Sequence, residues 1–293
     1  MAEQLLINGF ASSCSLAMLA AGMTFVYQTT RVFHIAQAAT FLAASYLLYY
    51  FVVLVHMPLW GGVVAALLAT IVLGLSMELF VYGPLEKRRA PTVITLVASI
   101  GLFVFCRNAI AAIPAFGNDT KIILEGVQPT FQLGNSALTV MQVVQVGVAL
   151  ILLPLMLLWI SRSGTGRLIR AVADNPTLAQ AQGIDLRSAR LIAIALSSAL
   201  AGITSMIIAL DTGTDPGSGM PYVVAALTAM IIGGTSIPGA LAGAFLLSIS
   251  QALVAWRYQL QWTEAVSFMF LFATLIIRPQ GLLALRKRRE EMR

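Results

Sequence analysis

Eight apolar runs, near residues 5–26, 36–55, 59–82, 92–113, 138–160, 188–210, 222–256 and 262–278, occupy nearly all of this 293-residue chain. Most reach the roughly 20 residues that carry a helix across a hydrocarbon core of about 30 Å. Only 10% of the residues are charged, against about a quarter in a soluble domain. The expectation is therefore an all-α, polytopic helical membrane protein, with residues 1–293 forming a single transmembrane domain.

Charge fixes the expected sidedness. Basic clusters stand at Glu86-Lys87-Arg88-Arg89, through residues 161–190, and at Arg286-Lys287-Arg288-Arg289. Lys and Arg gather on the cytoplasmic side of membrane proteins, which explains the net charge of +6 without any nucleic acid. The 114–137 and 211–221 connectors, which hold Asp119, Lys121 and Glu125, and Asp211 and Asp215, are expected outside. If 222–256 crossed once, the basic tail would lie on the wrong side. A broken or re-entrant pair restores the parity, with its break at Gly233-Gly234-Thr235-Ser236-Ile237-Pro238-Gly239, where glycine and proline disfavour a continuous helix. This gives eight or nine membrane segments, with the N-terminus outside and the C-terminus cytoplasmic. The stretch before the first run holds Glu3 and no Lys or Arg, unlike a cleaved signal peptide, so the first span is expected to be retained.

Three polar insertions interrupt the oil. The longest, 161–190, places Arg162, Arg167, Arg170, Arg187 and Arg190 against Asp174 and Asp185. Inside it, Asn175 suits an N-cap and Pro176 the first helical position, while Gly183 suits a left-handed stop. About two turns of helix lie between them. Two readings are open: a solvated connector, or a transmission element whose apolar knob, Leu178 with Ala179 and Ala181, is read by a cytoplasmic protein. The second insertion gathers Tyr27, Thr29, Thr30, Arg31, His34 and Gln37 at the cytoplasmic join of the first two spans. Polar groups bordering oil need partners, from water, a neighbouring helix or a solute. The third is the glycine-rich break itself. Irregular backbone at membrane depth is tolerated where it is buried in protein or lines a cavity, so Gly233, Gly234, Thr235, Ser236, Pro238 and Gly239 join the Tyr27–Gln37 set as candidate pathway residues; a plain hairpin is the other reading. Gly239 and Gly243 also form a GxxxG, a spacing that admits close helix contact.

Other features read as structure. Arg107 near the end of the fourth run has two readings, a functional charge or a side chain that snorkels to the outer interface, where Trp60, Trp256, Tyr258 and Trp262 are expected as anchors. Cys14 and Cys106 lie in apolar runs as packing residues. His34 and His56 are the chain's only histidines, and they flank opposite ends of a span, so no metal site is expected. Neither a GxxxxGK[ST] loop nor an intramembrane carboxylate pair is present, so any energy from ATP must come from another subunit and an enzyme is not expected.

Four segments resemble the permease subunits of bacterial branched-chain amino-acid ABC importers, the LivH-type chains. They are Thr24–Phe33 (TFVYQTTRVF), Gly166–Asp185 with its Arg170-Ala-Val-Ala-Asp174-Asn175-Pro176 and Gly183-Ile184-Asp185, Ile232–Ala240 (IGGTSIPGA), and the closing Arg278-Pro-Gln-Gly-Leu282. The resemblance spans nearly the whole chain. It implies an alternating-access permease, paired with a second permease chain (a paralogue or another copy of itself) and surrounded by membrane lipids. It further implies two cytoplasmic ABC ATPases, which hold the ATP and magnesium while this chain binds no cofactor, and a periplasmic solute-binding protein. It implies, too, that Arg170, Asp174, Asn175, Pro176, Leu178, Gly183, Ile184 and Asp185 form the coupling segment that meets the ATPases. The sequence departs from the family at His34-Ile35-Ala36-Gln37-Ala38, at Thr235 and at Ser250-Gln251, which leaves other amino acids, small amides, urea-like solutes and carboxylates open as cargo. A stand-alone secondary transporter is the alternative. It needs an intramembrane acid for ion coupling, and Glu78 and Glu264 lie near span ends.

Overall fold

A computed structural model describes residues 2–124, 130–133, 136–234, 236–259, 261–277 and 281. The apolar runs fold as helices: α1 (Ala2–Thr30), α2 (Gln37–Tyr49), α3 (Leu59–Met77), α4 (Gly83–Lys87), α5 (Thr92–Ala111) and α6 (Val140–Arg162). The polar insertion follows as α7 (Gly164–Asp174) and α8 (Pro176–Ala181), and then α9 (Leu186–Thr212), α10 (Gly219–Ile232), α11 (Ile237–Arg257) and α12 (Trp262–Ile277) complete the fold. π-helical turns at Tyr50–Leu54 and Glu78–Tyr82 extend α2 and join α3 to α4. Among the described residues, seven helical segments are long and apolar enough to cross a membrane. α10 and α12 are shorter, at 14 and 16 residues; at about 1.5 Å per residue each falls short of the roughly 30 Å core. The run 222–256 is divided as its glycines and proline predict.

Why α1 lies at the centre follows from its composition. Ala, Ser and Gly recur along it, and small residues let neighbouring backbones approach closely where lipid offers no competing hydrophobic drive. α6, α9, α10 and α11 all pack on it, and Met18, Leu19, Met23 and Phe25 are fully buried. α5 instead presents Val93, Val97 and Phe105 outward, as a lipid-facing span does.

The polar connectors sort into two ends. At one, the Arg31 guanidinium donates to the Ala173 carbonyl and Arg190 pairs with Glu86, uniting the first insertion, the 86–89 cluster and the α7–α8 segment. Ile237, opening α11, packs with Ile160 and Ile169 at this same end. At the other, Lys121 and Thr214 exchange backbone hydrogen bonds of 2.8 and 2.9 Å, and Gln4 bonds both backbone groups of Ala137 at 2.8 Å. These are the two sets that charge separated. The sequence reading missed one element, an antiparallel hairpin pairing Thr130–Leu133 with Ser136–Thr139. Its signal was the Gly134-Asn135 dipeptide between two short segments that hold Thr130, Phe131 and Thr139. Thr139 then caps α6, accepting from the Gln142 N–H at 3.1 Å. The tail 286–289 and most of the closing motif lie outside the described residues.

Candidate functional site

The α7–α8 segment is built as its residue types require. The Asn175 carboxamide oxygen accepts from the Leu178 N–H at 3.0 Å, and Pro176 takes the first helical position, where its missing N–H is no loss. Gly183 ends the turn with φ 83°, in the left-handed region that glycine enters without steric cost. The Ile184 N–H reaches back to the Ala179 carbonyl at 3.0 Å. Asp185 then caps α9, accepting from the Arg187 N–H at 3.0 Å, the Ser188 N–H at 3.2 Å and the Ser188 hydroxyl at 2.7 Å. The Ser188 hydroxyl leads the bonds that hold this carboxyl below the usual aspartate range. Arg170 donates to the Ser161 carbonyl at 3.3 Å, and Asp174 is the exposed last residue of α7.

Leu178 is 55% exposed, the apolar projection expected of a contact surface. Ala179, expected beside it, is 2% exposed and faces inward, because it packs with Val172 and Ala189 in a small cluster that also gathers Leu168, Ala171, Ile184 and Leu186. The knob is therefore Leu178 with Ala181, and Ala179 is its root. This cluster draws on residues 168–189, from α7, α8 and the first turn of α9, so α8 rests on its neighbours in sequence.

The first insertion spends its polar groups differently. The Thr29 and Thr30 hydroxyls donate to carbonyls of their own helix, at Val26 in both cases, 3.0 and 2.7 Å away. Tyr27 stacks on Phe33 with centroids 4.9 Å apart. His34 is buried against the Tyr82 ring at 4.6 Å, and burial lowers its pKa from 6.5 to about 4. The Ala36 N–H donates to the Ser99 hydroxyl of α5 at 2.7 Å. Gln37 is 1% exposed and reaches the Leu19 carbonyl at 3.4 Å. Its carbonyl oxygen and the nearby Ser197 hydroxyl have no hydrogen-bond partner. Both stand around Gly22, where an added Cβ would lie 3.2 Å from the Gln37 amide nitrogen and from Ser197 Cα. Of the first insertion, then, Gln37 is the residue whose polar atom faces a buried gap in its bonding.

At the break, α10 and α11 meet backbone to backbone. A Cβ on Gly233 would fall 2.1 Å from the Gly239 carbonyl carbon, and one on Gly239 2.0 Å from the Gly233 oxygen. The Ser236 hydroxyl caps α11 through the Gly239 N–H at 3.2 Å, with Pro238 in its first turn. Gly234 lies against Gly281 of the closing motif, whose Cβ would come within 2.2 Å of Gly234 Cα. Thr235 is outside the described residues. α1 packs on both α10 and α11, so the two halves of the candidate pathway share one central helix.

Sequence reading did not find the partner of Glu78. This carboxylate is 3% exposed and lies 3.6 Å from the Arg190 guanidinium, which also binds Glu86. A buried acid requires a cation, and Glu78 is the sole acid in the 59–82 run, which was the available signal.

The sequence is similar to those of known proteins. Residues 5–278 match the model of a family described as "Branched-chain amino acid transport system / permease component". The chain is similar to the high-affinity branched-chain amino acid transport permease BraD of Pseudomonas aeruginosa, 28% identical with 96% of this chain and 95% of that one aligned. It is similar also to LivH of Salmonella typhimurium, 26% identical over 96% and 94%, and to the probable LivH of Methanocaldococcus jannaschii, 28% identical over 96% and 92%. The chain belongs to the permease component family of branched-chain amino acid transport systems, and is a multi-pass membrane subunit rather than an enzyme.

Proposed function

We propose that this chain forms one half of the membrane pore of an ATP-driven importer for a branched-chain or related amino acid, with α8 as the part gripped by the ATPases. The end carrying Arg31, Glu86 and α8 faces the cytoplasm, and the end carrying the Lys121–Thr214 bridge faces outward, where a periplasmic binding protein delivers the solute. A second permease chain completes the pore, and two cytoplasmic ATPases bind ATP with magnesium. Closure of the ATPase dimer displaces α8, and the packed spans exchange between two arrangements that ATP binding biases. Gln37, from the first insertion, and the Gly233–Gly239 junction mark the pathway.

The observation that carries this reading is a short helix, capped at both ends and rooted in its own cluster, which presents one large apolar side chain to water. Nothing in the chain's own packing requires Leu178 to be there. Leu178→Glu places a charge where an ATPase surface is expected to close, while insertion and span packing stay unchanged. The expected outcome is loss of ATPase co-purification, or ATP hydrolysis without uptake. A Leu178→Glu complex that keeps its ATPases and imports at the wild-type rate overturns the assignment. The pairing of Glu78 with Arg190 also engages one of the two acids, Glu78 and Glu264, that an ion-coupled transporter would draw on.

A further inference from the structure

Arg31 is the first residue beyond α1, and its N–H closes the final turn onto the Tyr27 carbonyl at 2.8 Å. Its φ of 57° is in the left-handed region, where helices commonly place glycine at this position and where a side-chain-bearing residue is strained. A positive residue at a cytoplasmic span end needs no such conformation. The guanidinium crosses to the Ala173 carbonyl, 142 residues away in sequence and two residues before the Asn175 cap.

That carbonyl lies in the last turn of α7, where the helix leaves its acceptors unpaired and its dipole favours a cation. α7 has no basic residue in that turn. Arg31 supplies the cation from another helix, and a charge-assisted bond of this kind is stronger than a neutral one. On the far side of α8, Arg190 ties α9 to Glu78 and Glu86. The grip is thus bracketed by two arginine contacts: Arg31, at the end of α1, holds α7 before it, and Arg190 holds α9 after it to the Leu59–Lys87 span.

We propose that Arg31 is a positioning residue for coupling, carrying the displacement of α8 into the turn between α1 and α2 and so to Gln37. The turn is stiff enough to pass it on: Tyr27 stacks on Phe33, the buried His34 packs at a tilt against Tyr82, and Gln37 opens α2 directly after. The inference rests on the proposed role of α8.

The test uses the complete importer in liposomes, with radiolabelled leucine as probe, and reads the ratio of leucine imported to ATP hydrolysed. Arg31→Gly keeps the left-handed turn and removes the side chain that carries the guanidinium. The ratio is expected to fall about tenfold, the worth of one charge-assisted bond, with ATPase retention and thermal midpoint unchanged. Arg31→Lys keeps the topological charge without the forked reach and is expected to recover part of the ratio. An Arg31→Gly importer with the wild-type ratio overturns the proposal. If that variant fails to assemble, Arg31→Lys decides: a lowered ratio in an intact complex supports the link, and a wild-type ratio overturns it. Leu178→Glu separates the two readings. Loss of the ATPases there with a wild-type Arg31→Gly importer removes only this inference, whereas a wild-type Leu178→Glu importer removes the α8 assignment and this inference with it.

Discussion

At the scale of single residues, the groups that matter are those whose environment contradicts their chemistry. Glu78 was legible as an acid in an apolar run, yet its Arg190 partner was not, because the two lie 112 positions apart and nothing local marks the pair. His34 was read as one polar group among several. In the fold it is buried against Tyr82 and titrates near 4 instead of 6.5. The unfolded chain therefore takes up this proton at higher pH than the folded one. The stability it contributes is complete above about pH 6.5 and is lost as pH falls toward 4. A thermal midpoint in detergent measured across that window is expected to drop on acidification, and His34→Phe, which keeps a ring against Tyr82, is expected to flatten that part of the slope.

At the scale of elements, capping chemistry was fully readable: Asn175, Pro176 and Gly183 occupy the positions their residue types predict, since each rule concerns neighbours in sequence. Which side of α8 faces out was not readable. Six residues make too short a helix to show a periodic face, and only the tertiary cluster around Val172 and Ala189 turns Ala179 inward. The break between α10 and α11 was legible as a break but not as a contact. Its glycines serve the approach of two backbones as much as the turn. Gly239→Ala must push Gly233 away, since the new Cβ would stand 2.0 Å from its oxygen. The expected cost is about 1–3 kcal/mol, seen as a lowered thermal midpoint and yield. Gly147→Ala in α6, where nothing lies within 4 Å of the added carbon, is the control. It is expected to be neutral or to stabilise by up to about 1 kcal/mol.

For the whole molecule, the contacts among the described connectors follow the grouping that charge gives, because sidedness alternates with every crossing and one misplaced span would have mixed the two sets. The contacts from Arg31 to Ala173 and from Lys121 to Thr214 join members within each set. Which set faces the cytoplasm is decided by labelling. In a chain freed of Cys14 and Cys106, Asp119→Cys is expected to react with an impermeant maleimide in intact spheroplasts, and Leu178→Cys only after lysis. The reverse pattern would invert the proposed orientation. The hairpin at Thr130–Thr139 escaped notice because a helical membrane chain gave no reason to look for strands.

The private core beneath α8 has a consequence for how such a subunit changes over time. Substitutions on its outward face meet no span, so under the grip proposed for α8 the fit to an ATPase can drift, or be re-cut for a different one, without repacking the membrane helices. Arg31 and Arg190 have no such liberty: each answers to two helices at once. Variation is free at the handle and constrained at its rivets.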